Sequence, residues 1–159
     1  MTGGRSFSTG KQMFTIASCI SCHQMNGVGL KFGPDLTMLD PKRQAPTEIL
    51  RDILEPSFRI HEQYQTYIFA LNSGKSVTGI IMDERMGVVK VIENPLASTK
   101  PTTIKLTDIA ERQKSPTSIM PVGLLDKLTR EEILDLVAYI VAKGDAKHKL
   151  FQGGHEHGH

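Results

Sequence analysis

Tryptophan is missing from these 159 residues, and aromatic residues make up only 6% of them. The chain has 39% apolar residues, enough for a core, but few large side chains to fill one. No apolar run is long enough to span a bilayer. A strong charge bias is lacking too: the formal net charge of +2 is too small and scattered to argue for nucleic acid. The opening, Met1-Thr2-Gly3-Gly4-Arg5-Ser6, has no apolar h-region and does not read as a signal peptide. Cysteine occurs only twice, and a bridge between the two would close a tiny loop and stabilise little. The length suits one domain, or one domain carrying a small insertion.

Both cysteines lie in Cys19-Ile20-Ser21-Cys22-His23, a C-x-x-C-H pentapeptide. That pattern points to covalent attachment of one c-type haem. Two cysteines three positions apart on a helical turn present their sulfurs along one porphyrin edge, where each can add to a vinyl group as a thioether. The adjacent histidine then supplies an imidazole nitrogen to the iron. A haem would also provide much of the apolar centre that the few aromatics do not. Two other readings of the motif are weaker. A thioredoxin-type redox pair follows a strand, whereas residues 10 to 18 read as helical. A zinc site needs four ligands, and no second Cys/His pair at metal spacing appears before the tail.

Along the chain, Ser8 to Ser18 reads as a short helix with Met13, Phe14, Ile16 and Ala17 on its apolar side. Residues 25 to 39 read as a loop punctuated by Gly27, Gly29, Gly33 and Pro34, able to wrap under a flat cofactor. The Pro34 carbonyl is a candidate acceptor for the second ring N–H of His23. Pro46 to Glu55 is a second helix, with Ile49, Leu50, Ile53 and Leu54 as its core stripe. The period then changes. Segments 64–71, 77–82, 88–92 and 102–106 are β-branched and aromatic and are separated by turn signals. They predict an antiparallel meander of three or four strands inserted over about 64–110. Beyond Asp108 the chain turns polar, and a short helix is expected over Val122 to Leu128. Thr129 and Glu132 form a capping box that opens the last helix, with Ile133, Leu136, Val137 and Ile140 at helical spacing. Residues 145–159 read as a flexible tail whose His155, His157 and His159 could hold Ni, Cu or Zn loosely.

A six-coordinate haem needs a ligand opposite His23. Among seven methionines, Met120 stands out: it precedes a proline, lies on a loop and comes about ten residues before the last helix. His61 is the next candidate.

Taken together, Gly10-x-x-x-Phe14, Cys19-x-x-Cys22-His23, Gly33-Pro34-Asp35-Leu36, Met120-Pro121 and Asp135-Leu136-Val137-Ala138-Tyr139-Ile140 resemble a class I cytochrome c. The resemblance implies that the first and last helices cross near Gly10, Phe14 and Tyr139. It also implies that His23 and Met120 ligate the iron and that the Pro34 carbonyl fixes His23. Stretches 48–57 and 115–125, flanking the β-rich insert, are similar to the haem-binding domain of planctomycetes and verrucomicrobia. There it commonly ends large membrane-associated or exported dehydrogenase-like proteins. The expected fold is thus mainly α, a class I cytochrome c over 8–143 with an inserted small antiparallel β-meander.

The expected function is single-electron transfer through one covalently bound haem c, cycling Fe(III)/Fe(II), with no residue acting as acid or base. The alternative is a haem sensor or peroxidase-like enzyme with an open or displaceable sixth site. Expected partners are redox proteins, a dehydrogenase or an oxidase or reductase, and not nucleic acid. Thioether attachment normally takes place outside the bacterial inner membrane, so a periplasmic or other exported location is expected, either with a leader removed or as a fragment of a longer exported protein.

Overall fold

The structure is a computed structural model that describes residues 1–153. The described residues divide into two compact units, one formed by 1–55 and 122–153 and the other by 56–121.

In the first unit, α1 (Phe7–Ile16) starts at Ser6, whose side chain accepts from the Thr9 N–H. Gly10, Met13 and Phe14 are buried, an i, i+3, i+4 stripe that packs on the last helix, α3 (Arg130–Val141). The expected capping box is present: Thr129 Oγ1 accepts from Glu132 N–H at 3.2 Å and Glu132 returns to Thr129 N–H at 2.8 Å. Leu136, Val137, Tyr139 and Ile140 are buried, and Lys143 and Gly144 turn the chain in left-handed conformation just past the helix end. Between them, α2 (Pro46–Leu54) begins on a proline and buries Ile49 and Ile53, whereas Leu54 of the expected stripe is exposed. A two-stranded hairpin, β1 (Gln24–Met25) and β2 (Val28–Gly29), follows the C-x-x-C-H motif directly. Its loop is Asn26-Gly27, both at positive φ, the two-residue turn that matches strand twist.

Two expectations in this unit are corrected. Residues 122–128 form turns, not a helix, although Leu125 is buried. The tail expected to be flexible from Asp145 is held through Gln152. Leu150 is buried, Phe151 meets the Phe7 ring edge-on at 5.4 Å, and the Arg5 and Gly4 N–H groups donate to the Leu150 and Gln152 carbonyls. The three tail histidines at 155, 157 and 159 lie outside the described residues.

The second unit is a five-stranded antiparallel sheet in the order β6-β5-β4-β3-β7. Its strands are β3 (Thr66–Leu71), β4 (Ser76–Arg85), β5 (Val88–Ile92), β6 (Thr102–Lys105) and β7 (Ile109–Lys114). Four of these match the expected segments, whereas β7 falls where the chain is expected only to turn polar. It is almost wholly exposed, so only Ile109 carries an apolar signal, and its partner β3 lies far back in the chain. A straight ten-residue β4 would be about 33 Å long. Yet Leu106 donates to the Gly87 carbonyl beyond one end of β4, and the Asp108 carbonyl accepts from Asn72 beyond the other. Leu106 to Asp108 reaches about 7 Å at most. β4 must therefore bend, and the register shift between Ile81 and Asp83 marks a bulge at Met82 where it does so. The sheet curls into a small barrel around Phe69, Val89, Val91 and Ile104. Full burial of such side chains contributes about 1.5–3 kcal/mol each.

The fold class is accordingly corrected. Among the described residues helix accounts for 32% and strand for 23%, in two antiparallel sheets, so the protein is mixed α/β and not mainly α. The β insertion is a curled sheet whose fifth strand returns to the first, not a short meander on a helical host.

Candidate functional site

Helix α1 stops because Ser18 takes a left-handed conformation, φ 65°, and Cys19–Ser21 then form a single 3-10 turn. The Cys19 carbonyl accepts from both Cys22 N–H (3.1 Å) and His23 N–H (2.9 Å). The tight turn thus places both cysteines and the histidine on one short, tied segment. The two thiols are free, Cys19 buried and Cys22 half-buried. Burial pushes the Cys19 thiol up to about 12 and raises that of Cys22 as well. A redox-active C-x-x-C pair has the opposite character, a thiol held low so that it ionises near neutrality.

His23 Nδ1 donates to the Pro34 carbonyl at 2.6 Å. Burial lowers its pKa and the Pro34 hydrogen bond partly offsets this, so the imidazole is neutral with its proton on Nδ1. The Nε2 lone pair is left for a metal. The loop expected to wrap a cofactor encloses this ring. A β-carbon on Gly33 would lie 2.7 Å from His23 Cε1 and 3.0 Å from Nδ1, so only glycine lets the backbone pass over the ring. The Gly33 N–H donates to the Cys22 carbonyl at 2.7 Å, which draws the loop against the motif. Gly29, at φ 115°, passes against the His23 carbonyl with no room for a side chain.

Cys19, Cys22, His23 and Pro34 are thereby gathered in the first unit. Met120 belongs to the second, where its N–H donates to Ser118 Oγ (3.1 Å) and the Ser118 N–H to Ser57 Oγ (2.9 Å). His61, also in the second unit, caps a 3-10 turn through Nδ1, which accepts from Gln63 N–H at 3.1 Å. Met13 and Met25 are buried, while Met38, Met82 and Met86 are exposed. Among the described residues no group of three or more His, Cys, Asp or Glu could hold a metal ion, which leaves the zinc reading without ligands there.

Sequence reasoning missed the hairpin that leads out of His23. Its Asn26-Gly27 dipeptide between two strands is the usual short-range signal for such a turn. It also missed Thr37, whose hydroxyl accepts from the Asn26 N–H at 2.7 Å. The donor set fits a thioether-bound haem: two unpaired neutral thiols on one turn, and an imidazole whose other nitrogen is already engaged.

The family model for cytochrome c matches residues 7–87. That span contains the two thiols, His23 and Pro34, and ends before Met120. No curated protein matches the chain.

Proposed function

The chain belongs to the cytochrome c family of haem-binding electron-transfer proteins, and from that premise we propose that it is a monohaem carrier of single electrons. Cys19 and Cys22 would hold the haem as thioethers, His23 Nε2 and the Met120 sulfur would hold its iron, and the bound haem would supply the Fe(III)/Fe(II) couple. The observation that carries this reading is the 2.6 Å bond from His23 Nδ1 to the Pro34 carbonyl, beside two free thiols on the same turn. The chain's own part is to fix the imidazole tautomer, hold the ring against Gly33 and retain the cofactor. A neutral thioether ligand and partial burial both favour the ferrous form, so the potential would lie above that of a bis-histidine haem in similar surroundings.

The setting of this activity follows from the same premise. Redox proteins are the partners proposed, and an exported, periplasmic location is proposed because haem attachment takes place there in bacteria. No described helix is long and apolar enough to cross a membrane. The finer likeness, to the planctomycete and verrucomicrobial haem-binding domain, rests on residues 48–57 and 115–125.

Absorption spectroscopy of the purified protein tests the reading. A low-spin ferric form with the weak red thioether-to-iron band is expected. A high-spin form that binds CO or peroxide readily would instead favour the sensor or peroxidase-like alternative.

A further inference from the structure

The His23–Pro34 bond can be only as short as the Pro34 loop is fixed, and the structure shows what fixes it. Pro34 leads into a 3-10 turn, Leu36–Met38, that Asp35 caps: its Oδ1 accepts from Thr37 N–H at 2.9 Å, and its carbonyl from Met38 N–H at 3.1 Å. The Thr37 hydroxyl then joins this turn to the hairpin that starts immediately after His23. It accepts from Asn26 N–H at 2.7 Å and donates to Met25 Sδ at 3.9 Å. Asn26 also reaches outward, with Nδ2 donating to the Lys143 carbonyl at the end of α3 (3.0 Å). A β-carbon at Gly144 would stand 2.7 Å from that amide, so the left-handed glycine past α3 leaves room for it.

The histidine strand and the proline loop are therefore tied twice, once at His23–Pro34 and once at Asn26–Thr37. The second tie is anchored to the last helix. We propose that Asn26 and Thr37 are positioning residues for the His23 imidazole. By holding the loop in register with the hairpin they keep the Pro34 carbonyl pressed on Nδ1. A tightly held Nδ1–H makes Nε2 a stronger donor and favours Fe(III), so this clamp lowers the reduction potential. The inference rests on haem ligation by His23 as proposed above.

The turn chemistry supplies clean variants. Asn26→Gly keeps the left-handed two-residue turn but removes the amide that reaches Lys143. Thr37→Val removes the hydroxyl at nearly constant shape, and Thr37→Ser restores it. In the haem-loaded protein, Asn26→Gly and Thr37→Val should raise the reduction potential. They should also speed exchange of the His23 Nδ1 proton, followed by NMR in the ferrous state, by roughly three- to tenfold, the factor matching one net hydrogen bond. Thr37→Ser should stay near wild type in both. If Asn26→Gly and every Thr37 variant that folds lower the melting temperature but leave potential and exchange unchanged, the pair is only a structural tie and the proposal is overturned. A wild-type protein with no thioether-bound haem overturns both this proposal and the function it rests on. Unchanged variants with the haem in place overturn this one alone.

Discussion

Gly10 of α1 and Tyr139 of α3 lie so close that a β-carbon on Gly10 would come within 2.8 Å of Tyr139 Cβ, and closer still to the Asp135 carbonyl. The two helices can cross at this distance only because one of them has no side chain there. Phe14, one turn on, packs its ring on Tyr139 at 5.5 Å, and Phe7 does so at 5.6 Å.

Gly10→Ala is expected to destabilise, although alanine is the better helix former by about 1 kcal/mol. Overpacking a closed core costs about 1–3 kcal/mol, and the close neighbours are backbone and a β-carbon that cannot swing aside. A thermal melt of the haem-loaded variant checks the sign. A melting temperature above wild type would mean that the helices separate easily.

Haem should remain with the polypeptide after denaturation and acid–organic extraction, because Cys19 and Cys22 would each hold it by a thioether. Mass spectrometry should show haem added to the chain and no free thiol. Cys19→Ala or Cys22→Ala should leave one bond and a shifted α-band. Two free thiols in protein from cells with haem-maturation machinery would sink the attachment reading.

Met120→Ala should lower the reduction potential and abolish the red charge-transfer band, since a soft neutral sulfur favours Fe(II). CO should then bind far more readily. Met38→Ala and Met82→Ala, at residues 80% and 44% exposed, should leave the spectrum unchanged. A wild-type spectrum in Met120→Ala would move the search for the sixth ligand to His61.

The barrel should have a small acid sensitivity of its own. Arg112 donates to both Glu84 oxygens at 2.8 and 2.9 Å and lies 5.1 Å over the Phe69 ring. Those hydrogen bonds hold the Glu84 carboxyl below its ordinary value of 4.5, against a weaker opposing effect of burial. A carboxyl depressed in the folded state adds stability that is complete above its unfolded value and is lost as pH falls through the folded one. The pair is more than a third exposed on the glutamate side, so the gain is at most about 1 kcal/mol. Glu84→Gln should melt slightly below wild type at pH 7, with the gap closing as the pH falls below the carboxyl's ordinary value of 4.5. A gap that persists in acid would assign the loss to packing.

Where a reading depended on neighbours within one or two turns, the sequence carried it. The cysteines and histidine of the motif sit on one short tied segment that begins with the 3-10 turn Cys19–Ser21, Thr129 and Glu132 cap α3 reciprocally, and Met13 and Phe14 face the core at helical spacing. Turn residues also separated four of the five barrel strands, because Asn, Gly and Pro act on the backbone locally. The Asn26-Gly27 hairpin was equally local, and its two-residue strands were simply too short to register as alternation.

Tertiary structure decided the rest. β7 is a strand only because β3, some forty residues earlier, offers its edge; Ala110-Glu111-Arg112-Gln113-Lys114 has no apolar alternation to announce it. With that strand added and β4 bent at Met82, a presumed meander becomes a curled sheet, and a mainly α expectation gives way to a mixed fold. Residues 145–153 looked like tail because their composition is polar. They are held because Leu150 and Phe151 find the N-terminal segment at Arg5 and Phe7. The fastening of Pro34 through Thr37 and Asn26 to the end of α3 is of the same kind. Local chemistry sets which backbone shapes a segment prefers, but a hydrogen bond between residues 117 positions apart exists only once the helices that bring them together have packed.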